Sequence, residues 1–234
     1  MKKLDRREVL AALGAAFVGA CSSSPTSPTA SSSSTTVPGT SGSACVVTPS
    51  ETEGPYPDRL GMINNAAYFR RDITEGKSGL PLNLTLTIVS AASGCTPISG
   101  AVVEVWQCDA SGNYSEYSQQ GFNGTGLTFL RGLQTTDASG QVTFNTIYPG
   151  WYQGRATHIH VEVYRNGSSV KTTQVAFPES VTAAVYGTGV YASRGQNTTN
   201  NASDMVFSDG VSNELATLTG NATSGYTATL TIGV

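Results

Sequence analysis

Apolar and polar residues alternate along several short segments of this chain, and this period constrains the fold more than any other feature. Successive side chains of a β-strand leave opposite faces, so alternation predicts strands with one face in a core. The pattern is clearest where Leu82, Leu84, Leu86 and Ile88 are separated by Asn or Thr. Similar patterns predict further strands over 102–108, 141–147, 158–165, 169–177 and 226–232.

The segments between these strands also favour an all-β fold. Asn166-Gly167 separates two alternating runs and is the strongest hairpin signal in the chain. Only 179–186 has the pattern of a short helix, and 186–208, rich in Gly, Asn and Ser, predicts a long excursion. Charged residues make up 12% of the chain, about half the usual fraction, which argues against a helix bundle or coiled coil. We therefore predict a β-sandwich of mostly antiparallel strands with long loops and little helix.

The first residues of the chain predict export. Residues 1–20 combine a basic start with an apolar run too short to span a bilayer, as in a signal peptide. The pair Arg6-Arg7 before that run is typical of the twin-arginine route, and the general secretory route stays open. The segment Val18-Gly-Ala-Cys21 resembles a bacterial lipoprotein cleavage box and predicts lipidation of Cys21. An ordinary secretory signal with an unmodified Cys is the alternative.

Residues 21–44 predict a flexible tether, because Ser, Thr and Pro dominate and no residue is charged. Residues 45–234 then form one folded domain. The expected location is the cell envelope, with the chain lipid-anchored at Cys21 or otherwise extracytoplasmic or secreted. Membrane contact is expected only through that anchor. The net charge is -3, so the chain lacks the excess of basic residues that nucleic-acid binding requires, and no nucleic-acid partner is expected.

Export places the cysteines in an oxidising compartment, where they can pair. If Cys21 is lipidated, Cys45, Cys95 and Cys108 remain, and they allow one intramolecular disulfide bond. We favour Cys45 with Cys95, because both lie in turn-like segments. Cys108 ends an apolar strand and suits the role of a buried small hydrophobe.

The only two histidines of the chain form the tripeptide His158-Ile159-His160 on a predicted strand. Residues i and i+2 share a strand face, so the two imidazoles converge as metal ligands would. A solvated surface pair is the alternative. No third histidine, Cys-x-x-Cys or His-Glu-x-x-His is present, which removes the commonest zinc sites.

Two kinds of residue remain as further ligands. Glu162 continues the face of the two histidines, and two imidazoles with one carboxylate suit ferrous iron. The alternative is tyrosine, with Tyr114, Tyr117, Tyr148 and Tyr152 at predicted strand ends and turns. A phenol with a reference pKa of about 10 needs a hard Lewis acid to ionise, and ferric iron is one.

Five segments, taken in order, resemble the active-site motifs of the intradiol ring-cleavage dioxygenases, the catechol and protocatechuate 3,4-dioxygenase family. They are Thr52-Glu-Gly-Pro-Tyr56, Trp106-Gln-Cys-Asp-Ala-Ser-Gly-Asn-Tyr114, Thr146-Ile-Tyr-Pro-Gly-Trp-Tyr152, Arg155-Ala-Thr-His158-Ile-His160 and Thr173-Gln174. Their order and separations make the resemblance specific, and it spans most of the predicted domain. The predicted export signal makes the chain resemble an exported, lipoprotein-type branch.

The resemblance implies a β-sandwich that binds non-haem Fe(III) through two tyrosinates and two histidines. These ligands would be Tyr114, Tyr152, His158 and His160. The implied reaction inserts both atoms of O2 into a catechol-type diol and cleaves the ring between the hydroxylated carbons to a cis,cis-muconate. By the same resemblance Tyr152 also takes part in catalysis as the ligand that the substrate displaces.

The resemblance also assigns roles to three residues around the implied iron. Arg155 would supply a fixed positive charge to the reacting substrate, Gln174 would be a second catalytic polar residue, and Tyr56 would line the substrate pocket.

Two other functions stay open. One is a non-catalytic β-sandwich binding module on a lipoprotein tether, and the other is a metal enzyme using His158-x-His160-x-Glu162. Neither the catechol accepted nor the oligomeric state follows from the sequence.

Overall fold

The structure is a computed structural model that describes residues 45–234. The predicted signal peptide, the lipidation of Cys21 and the tether up to residue 44 lie outside the described residues. Within 45–234, no helix is long and apolar enough to cross a membrane.

Eleven strands and one α-helix form the main regular structure of residues 45–234. They are β1 (Pro81–Ser90), β2 (Thr96–Pro97), β3 (Val102–Trp106), β4 (Ser118–Gln119), β5 (Phe122–Asn123), β6 (Arg131–Thr135), β7 (Gln141–Ile147), β8 (His158–Arg165), β9 (Ser168–Ala176), α1 (Glu179–Tyr186), β10 (Thr217–Asn221) and β11 (Gly225–Gly233). Short 3-10 helices occupy Met62–Asn64, Ala66–Tyr68, Ala91–Ser93 and Gly189–Tyr191.

Two larger sheets are built from these strands. In the first sheet β1 pairs with β11 in parallel and with β7 and β2 antiparallel, and β10 lies beyond β11. The second sheet has the antiparallel order β6-β3-β8-β9, and β4 with β5 forms a separate hairpin. The prediction of an all-β sandwich of mostly antiparallel strands is confirmed. The parallel β1–β11 pair joins strands far apart in the chain, which local patterns do not reveal.

The core lies between the two larger sheets. The alternating Leu82, Leu84, Leu86 and Ile88 of β1 are buried, as their period predicts. Strand β8 contributes Ile159, Val161 and Val163, each with no exposed surface. Because successive side chains alternate in direction, the histidines of β8 lie on the other face of the second sheet.

Strands β7 and β8 and helix α1 have the bounds that the sequence predicts. Strand β6 was missed, because Gly132 stands where a core residue would be expected. An added Cβ there would lie 2.6 Å from Ile73 Cγ2, so a larger residue would displace Ile73 from the core. Strand β10 was missed because its residues are mostly exposed and lack apolar alternation.

A disulfide bond joins Cys45 to Cys95, the pair favoured from the sequence. Cys108 is unpaired and buried, and burial raises the pKa of its thiol. Its role is therefore that of a small apolar side chain.

Candidate metal centre

The candidate centre lies on the outer face of the second sheet. Register places Trp106, His160 and Gln174 side by side on β3, β8 and β9, and Arg131 follows on β6. Cross-strand partners share a face, so four polar or aromatic side chains form one row there. His158, two residues before His160, extends the row along β8.

The two histidines present their Nε2 atoms to each other at 3.1 Å. His158 Nδ1 lies 2.6 Å from the carbonyl oxygen of Ala156. A carbonyl only accepts, so Nδ1 carries the proton and Nε2 keeps a lone pair for a metal. The His160 ring stacks on Trp106 with centroids 4.7 Å apart and planes 2° apart. Ala156 and Trp106 therefore hold the two imidazoles in fixed orientations.

Two tyrosines complete the set from loops above the sheet. Tyr152 Oη lies 3.3 Å from His158 Nε2. The Tyr114 ring lies 5.7 Å from the Tyr152 ring and 6.2 Å from the His160 ring. Tyr114 is fully buried, whereas Tyr152 is partly exposed. The loop after β3 and the loop after β7 thus deliver one phenol each to the histidine pair.

Burial controls the charge of all four side chains. It lowers the pKa of His158 to about 3 and that of His160 well below its usual value, so both imidazoles are neutral. Burial also raises the pKa of Tyr114 well above 10 and that of Tyr152 to about 12, where the Arg155 charge opposes the rise. Without a cation the phenols stay protonated, and a strongly charged one is needed to ionise them.

These residues fit a bound hard metal ion. The Tyr114 hydroxyl is buried and has no hydrogen-bond partner among the described residues. Buried polar atoms are rarely left unpaired, and the ring that carries this one lies beside His160 and Tyr152. Two neutral imidazoles with two phenols form a mixed nitrogen and hard-oxygen donor set, which suits ferric iron.

Arg155 borders the four donors and is held from several sides. Its Nε donates to both carboxylate oxygens of Asp204, at 3.0 and 2.8 Å, and Nη2 donates to Gln174 Oε1. Nη1 lies 3.5 Å from Tyr152 Oη. Asp204 also accepts from the backbone N–H of Ala156 at 2.7 Å. The guanidinium is therefore a positive charge with a fixed position beside the phenol of Tyr152.

The segment around Tyr56 covers the other side of the donors. Tyr56 stacks on Tyr114 with centroids 4.4 Å apart, and the Tyr56 and Tyr152 rings are nearly perpendicular with centroids 5.8 Å apart. Gly54 has φ +70°, and an added Cβ would lie 3.0 Å from His160 Cε1. Only glycine combines this left-handed backbone with so close an approach to the imidazole.

Buried Arg131 connects this segment to the loop of Tyr114. It donates to the carbonyl oxygens of Tyr56 and Ser115 and to Ser115 Oγ, at 2.9 to 3.1 Å. It thereby fixes Tyr56 against Tyr114.

All seven residues that the sequence assigns to iron, catalysis or substrate are brought together. They are Tyr56, Tyr114, Tyr152, Arg155, His158, His160 and Gln174.

The other proposed ligands lie elsewhere. Glu162 pairs across the sheet with Glu104, and the two histidines belong to no cluster of three His, Cys, Asp or Glu within 45–234. Tyr148 Oη bonds with Thr182 Oγ1 in the core, and Tyr117 Oη donates to the carbonyl of Pro57. The expectation that Glu162 completes a metal site therefore has no support in the geometry.

Sequence reasoning missed Asp204 and Arg131. Asp204 is a single acidic residue in the excursion after α1, and Arg131 begins a strand without apolar alternation. No local signal marks either residue, because each acts through a partner distant in the chain.

Comparisons with known proteins agree with this geometry. A family model described as "Dioxygenase" matches residues 53–186. The chain is 33% identical over 121 residues to the protocatechuate 3,4-dioxygenase beta chain of Burkholderia cepacia, covering 46% of this chain and 51% of that protein. It thus spans about half the length of the curated relatives it matches.

Two solved structures extend the similarity across the described domain. An intradiol ring-cleavage dioxygenase from Tetranychus urticae matches with a TM-score of 0.71 and 29% identity, covering 81% of this chain and 94% of that one. The dioxygenase domain of a carbohydrate-binding fusion protein from Streptomyces sp. SirexAA-E matches with a TM-score of 0.58 and 29% identity, covering 81% and 98%.

Proposed function

This chain belongs to the intradiol ring-cleavage dioxygenase family, and from that membership we propose that it is a non-haem Fe(III) enzyme acting on a catechol-type diol. The reaction inserts both atoms of O2 and breaks the ring between the two hydroxylated carbons, which yields a cis,cis-muconate. One observation carries the proposal: two imidazoles and two phenols lie together beside a fixed guanidinium.

Tyr114, Tyr152, His158 and His160 would hold the iron. Bound ferric iron would supply the Lewis acidity that ionises the phenols and the diol and makes the aromatic ring reactive toward O2. The His158 tautomer set by the Ala156 carbonyl leaves Nε2 free to bind, and stacking on Trp106 holds the His160 ring.

Tyr152 is suited to exchange a proton with the substrate. It is the more exposed of the two phenols, and Arg155 Nη1 lies 3.5 Å from its oxygen. Once ionised, Tyr152 Oη would take the proton of one diol hydroxyl, which leaves a neutral phenol and a negatively charged diol oxygen. The guanidinium stabilises the negative charge that remains on the diol, because opposite charges attract strongly where water is excluded.

Arg155 and Gln174 act as a prearranged pair. Asp204 and Gln174 fix the guanidinium, and Gln174 is itself held by its Nε2 donating to the Thr52 carbonyl at 3.0 Å. Because these bonds exist before substrate binds, the positive charge needs no reorganisation as negative charge develops on the ring and its oxygens. Tyr56 lies against Tyr114 and Tyr152 and would offer an aromatic surface to the substrate ring.

We also propose that the chain is exported and held at the cell envelope by a lipid on Cys21. The basic and apolar start, the Cys21 box and the Cys45–Cys95 bond support this location. Metabolic labelling with a radioactive fatty acid tests the anchor. The full chain should carry label in the membrane fraction, and Cys21→Ser should not. Equal labelling of both proteins would contradict the proposal.

Visible spectroscopy of the full chain tests the enzyme proposal most directly. A broad tyrosinate-to-iron absorption band should be present, and anaerobic catechol should shift it to longer wavelength. Admission of O2 should then consume catechol and O2 in equal amounts with release of a muconate.

Variants separate the ligand sets. Tyr114→Phe and Tyr152→Phe should each alter the band, whereas Glu162→Gln should leave it intact. A protein that stays colourless after addition of ferric iron would refute the proposal. A colour change with Glu162→Gln alone would support the carboxylate site instead.

A further inference from the structure

Three carboxyl side chains outside the proposed iron site meet at one point. Glu51 precedes the segment of Tyr56, and Asp209 and Glu214 lie between α1 and β10. One carboxylate oxygen of each lies within 4.8 Å of the other two. We call these three residues the acidic triad. Asp209 is exposed, Glu51 is partly buried and Glu214 is fully buried.

Glu214 supplies independent evidence that a partner belongs in the acidic triad. Its side chain has no exposed surface, and Oε1 accepts a hydrogen bond from Thr173 Oγ1 at 2.8 Å. Its Oε2 is buried and has no hydrogen-bond partner among residues 45–234. An unpaired buried carboxylate oxygen is costly, and here it belongs to a group of like charges.

The nearby cations do not neutralise the acidic triad. Arg155 forms its ion pair with Asp204, with Nε 2.8 Å from Oδ2. Lys171 Nζ donates to the Thr48 carbonyl at 2.7 Å and to Ser50 Oγ at 2.9 Å. When all three carboxyl groups are ionised, as on binding a cation, Lys171 leaves a net charge of -2 on the acidic triad. Burial raises the pKa of Glu51 and brings that of Glu214 to about 7, and neighbouring carboxylates add to both shifts.

We propose that the acidic triad binds one calcium ion. An all-oxygen, carboxylate-rich set selects a hard divalent cation over zinc or copper. Magnesium is usually held by one or two carboxylates and keeps several waters, whereas calcium accepts a larger number of protein oxygens in a flexible shell. Three carboxylates that meet from separate segments therefore fit calcium better than magnesium. Exposed Asp209 leaves room for the water ligands that complete a calcium shell.

The calcium ion would join two segments that flank Arg155. Glu51 N–H donates to the Thr172 carbonyl at 2.9 Å, and the next residue, Thr52, accepts from Gln174. Asp209 follows Asp204 by five positions in the same loop. Calcium bound to the acidic triad therefore connects residues 51–56 to the loop of Asp204 and Asp209. Asp204 in that loop binds Arg155.

Calcium titration of the full chain tests the proposal without relying on activity. The chain is freed of divalent ions on a chelating resin, and calcium chloride is added alone. Calorimetry should show one site per chain, with a Kd of roughly 10⁻⁵ to 10⁻³ M by analogy with other protein calcium sites. Saturating calcium should raise Tm by about 5 °C. Amide hydrogen exchange should slow over 48–56 and 204–214.

Matched variants make the test specific. Glu214→Gln and Asp209→Asn should weaken calcium binding at least tenfold and abolish the Tm shift. Glu214→Gln should melt no lower than the parent in calcium-free buffer, because it removes an uncompensated charge. If Glu214→Gln fails to fold, Asp209→Asn still tests whether calcium binding depends on the acidic triad, because Asp209 is exposed. Exposed Glu53→Gln and the iron-ligand variant Tyr114→Phe should keep the full calcium response.

Three results would overturn the proposal. One is the absence of a saturable response up to 10 mM calcium, about ten times the weakest expected Kd. Another is an equal response in the parent, Glu214→Gln and Asp209→Asn. The third is a Tm shift that sodium chloride reproduces at the same ionic strength.

Discussion

Asp204→Asn tests whether Arg155 acts from a position that another residue sets. The Asp204 side chain is fully buried and accepts Arg155 Nε at 3.0 and 2.8 Å and the Ala156 N–H at 2.7 Å. Asparagine keeps the size of the side chain but offers one acceptor oxygen and no charge. A hydrogen bond to a charged group contributes about 1.5–3 kcal/mol, so we expect a loss of about 2 kcal/mol in the free energy of unfolding.

Catalysis should suffer separately from stability. A guanidinium released from Asp204 remains charged but samples other positions, and misplacement of this kind lowers kcat by roughly 10- to 100-fold. KM should change less, because the proposed iron ligands that bind the diol are untouched. For the same reason the tyrosinate-to-iron band should keep its position and intensity.

The assay is oxygen uptake with catechol as a function of substrate concentration, together with the visible spectrum and urea unfolding of each protein. Asp137→Asn is a matched control, because Asp137 is exposed and accepts only from the backbone of its own turn, at Ser139 and Gln141. An unchanged kcat in Asp204→Asn would refute the positioning role. A kcat loss accompanied by loss of the iron band would show that Asp204 supports the whole site instead.

Four further variants follow from single features of the structure. Tyr114→Phe removes a buried unpaired hydroxyl, so the free energy of unfolding of the metal-free protein, measured in urea, should rise by about 1 kcal/mol. Iron binding should fall in the same variant. Gly54→Ala should cost about 1–2 kcal/mol from its φ of +70° alone and reduce the iron content, measured by metal analysis, through contact with the His160 ring. Replacing both Cys45 and Cys95, 50 positions apart, with serine should cost about 4 kcal/mol in urea unfolding. Burial raises the pKa of Glu104 from 4.5 to about 8, so the folded state binds the extra proton, and stability should fall by up to about 1.4 kcal/mol per pH unit as the pH rises between those values. Glu104→Gln should flatten that slope in urea midpoints measured at pH 5.5 and pH 8, and an equal slope in both proteins would contradict the assignment.

Much of the fold was predictable because its signals are local. Alternation in β1 and β8 places apolar residues in the core, and the same period puts His158 and His160 together on the opposite face. The Asn166-Gly167 hairpin between β8 and β9 is also encoded in adjacent residues. Strand β6 departs from that logic, since its core position is a glycine and Ile73 from another segment fills the space.

The sequence by itself determined which side chains are candidate donors, because the histidine spacing on a strand and the order of the tyrosine motifs are properties of the chain. It left open whether Glu162 or the tyrosines join the histidines. Only the tertiary structure shows which of them lies beside the histidines: Tyr152 Oη is 3.3 Å from His158 Nε2, whereas Glu162 lies opposite Glu104. Asp204 behind Arg155 and the acidic triad also emerge only in the fold. Each joins residues from separate loops, and no local period records which loops pack together.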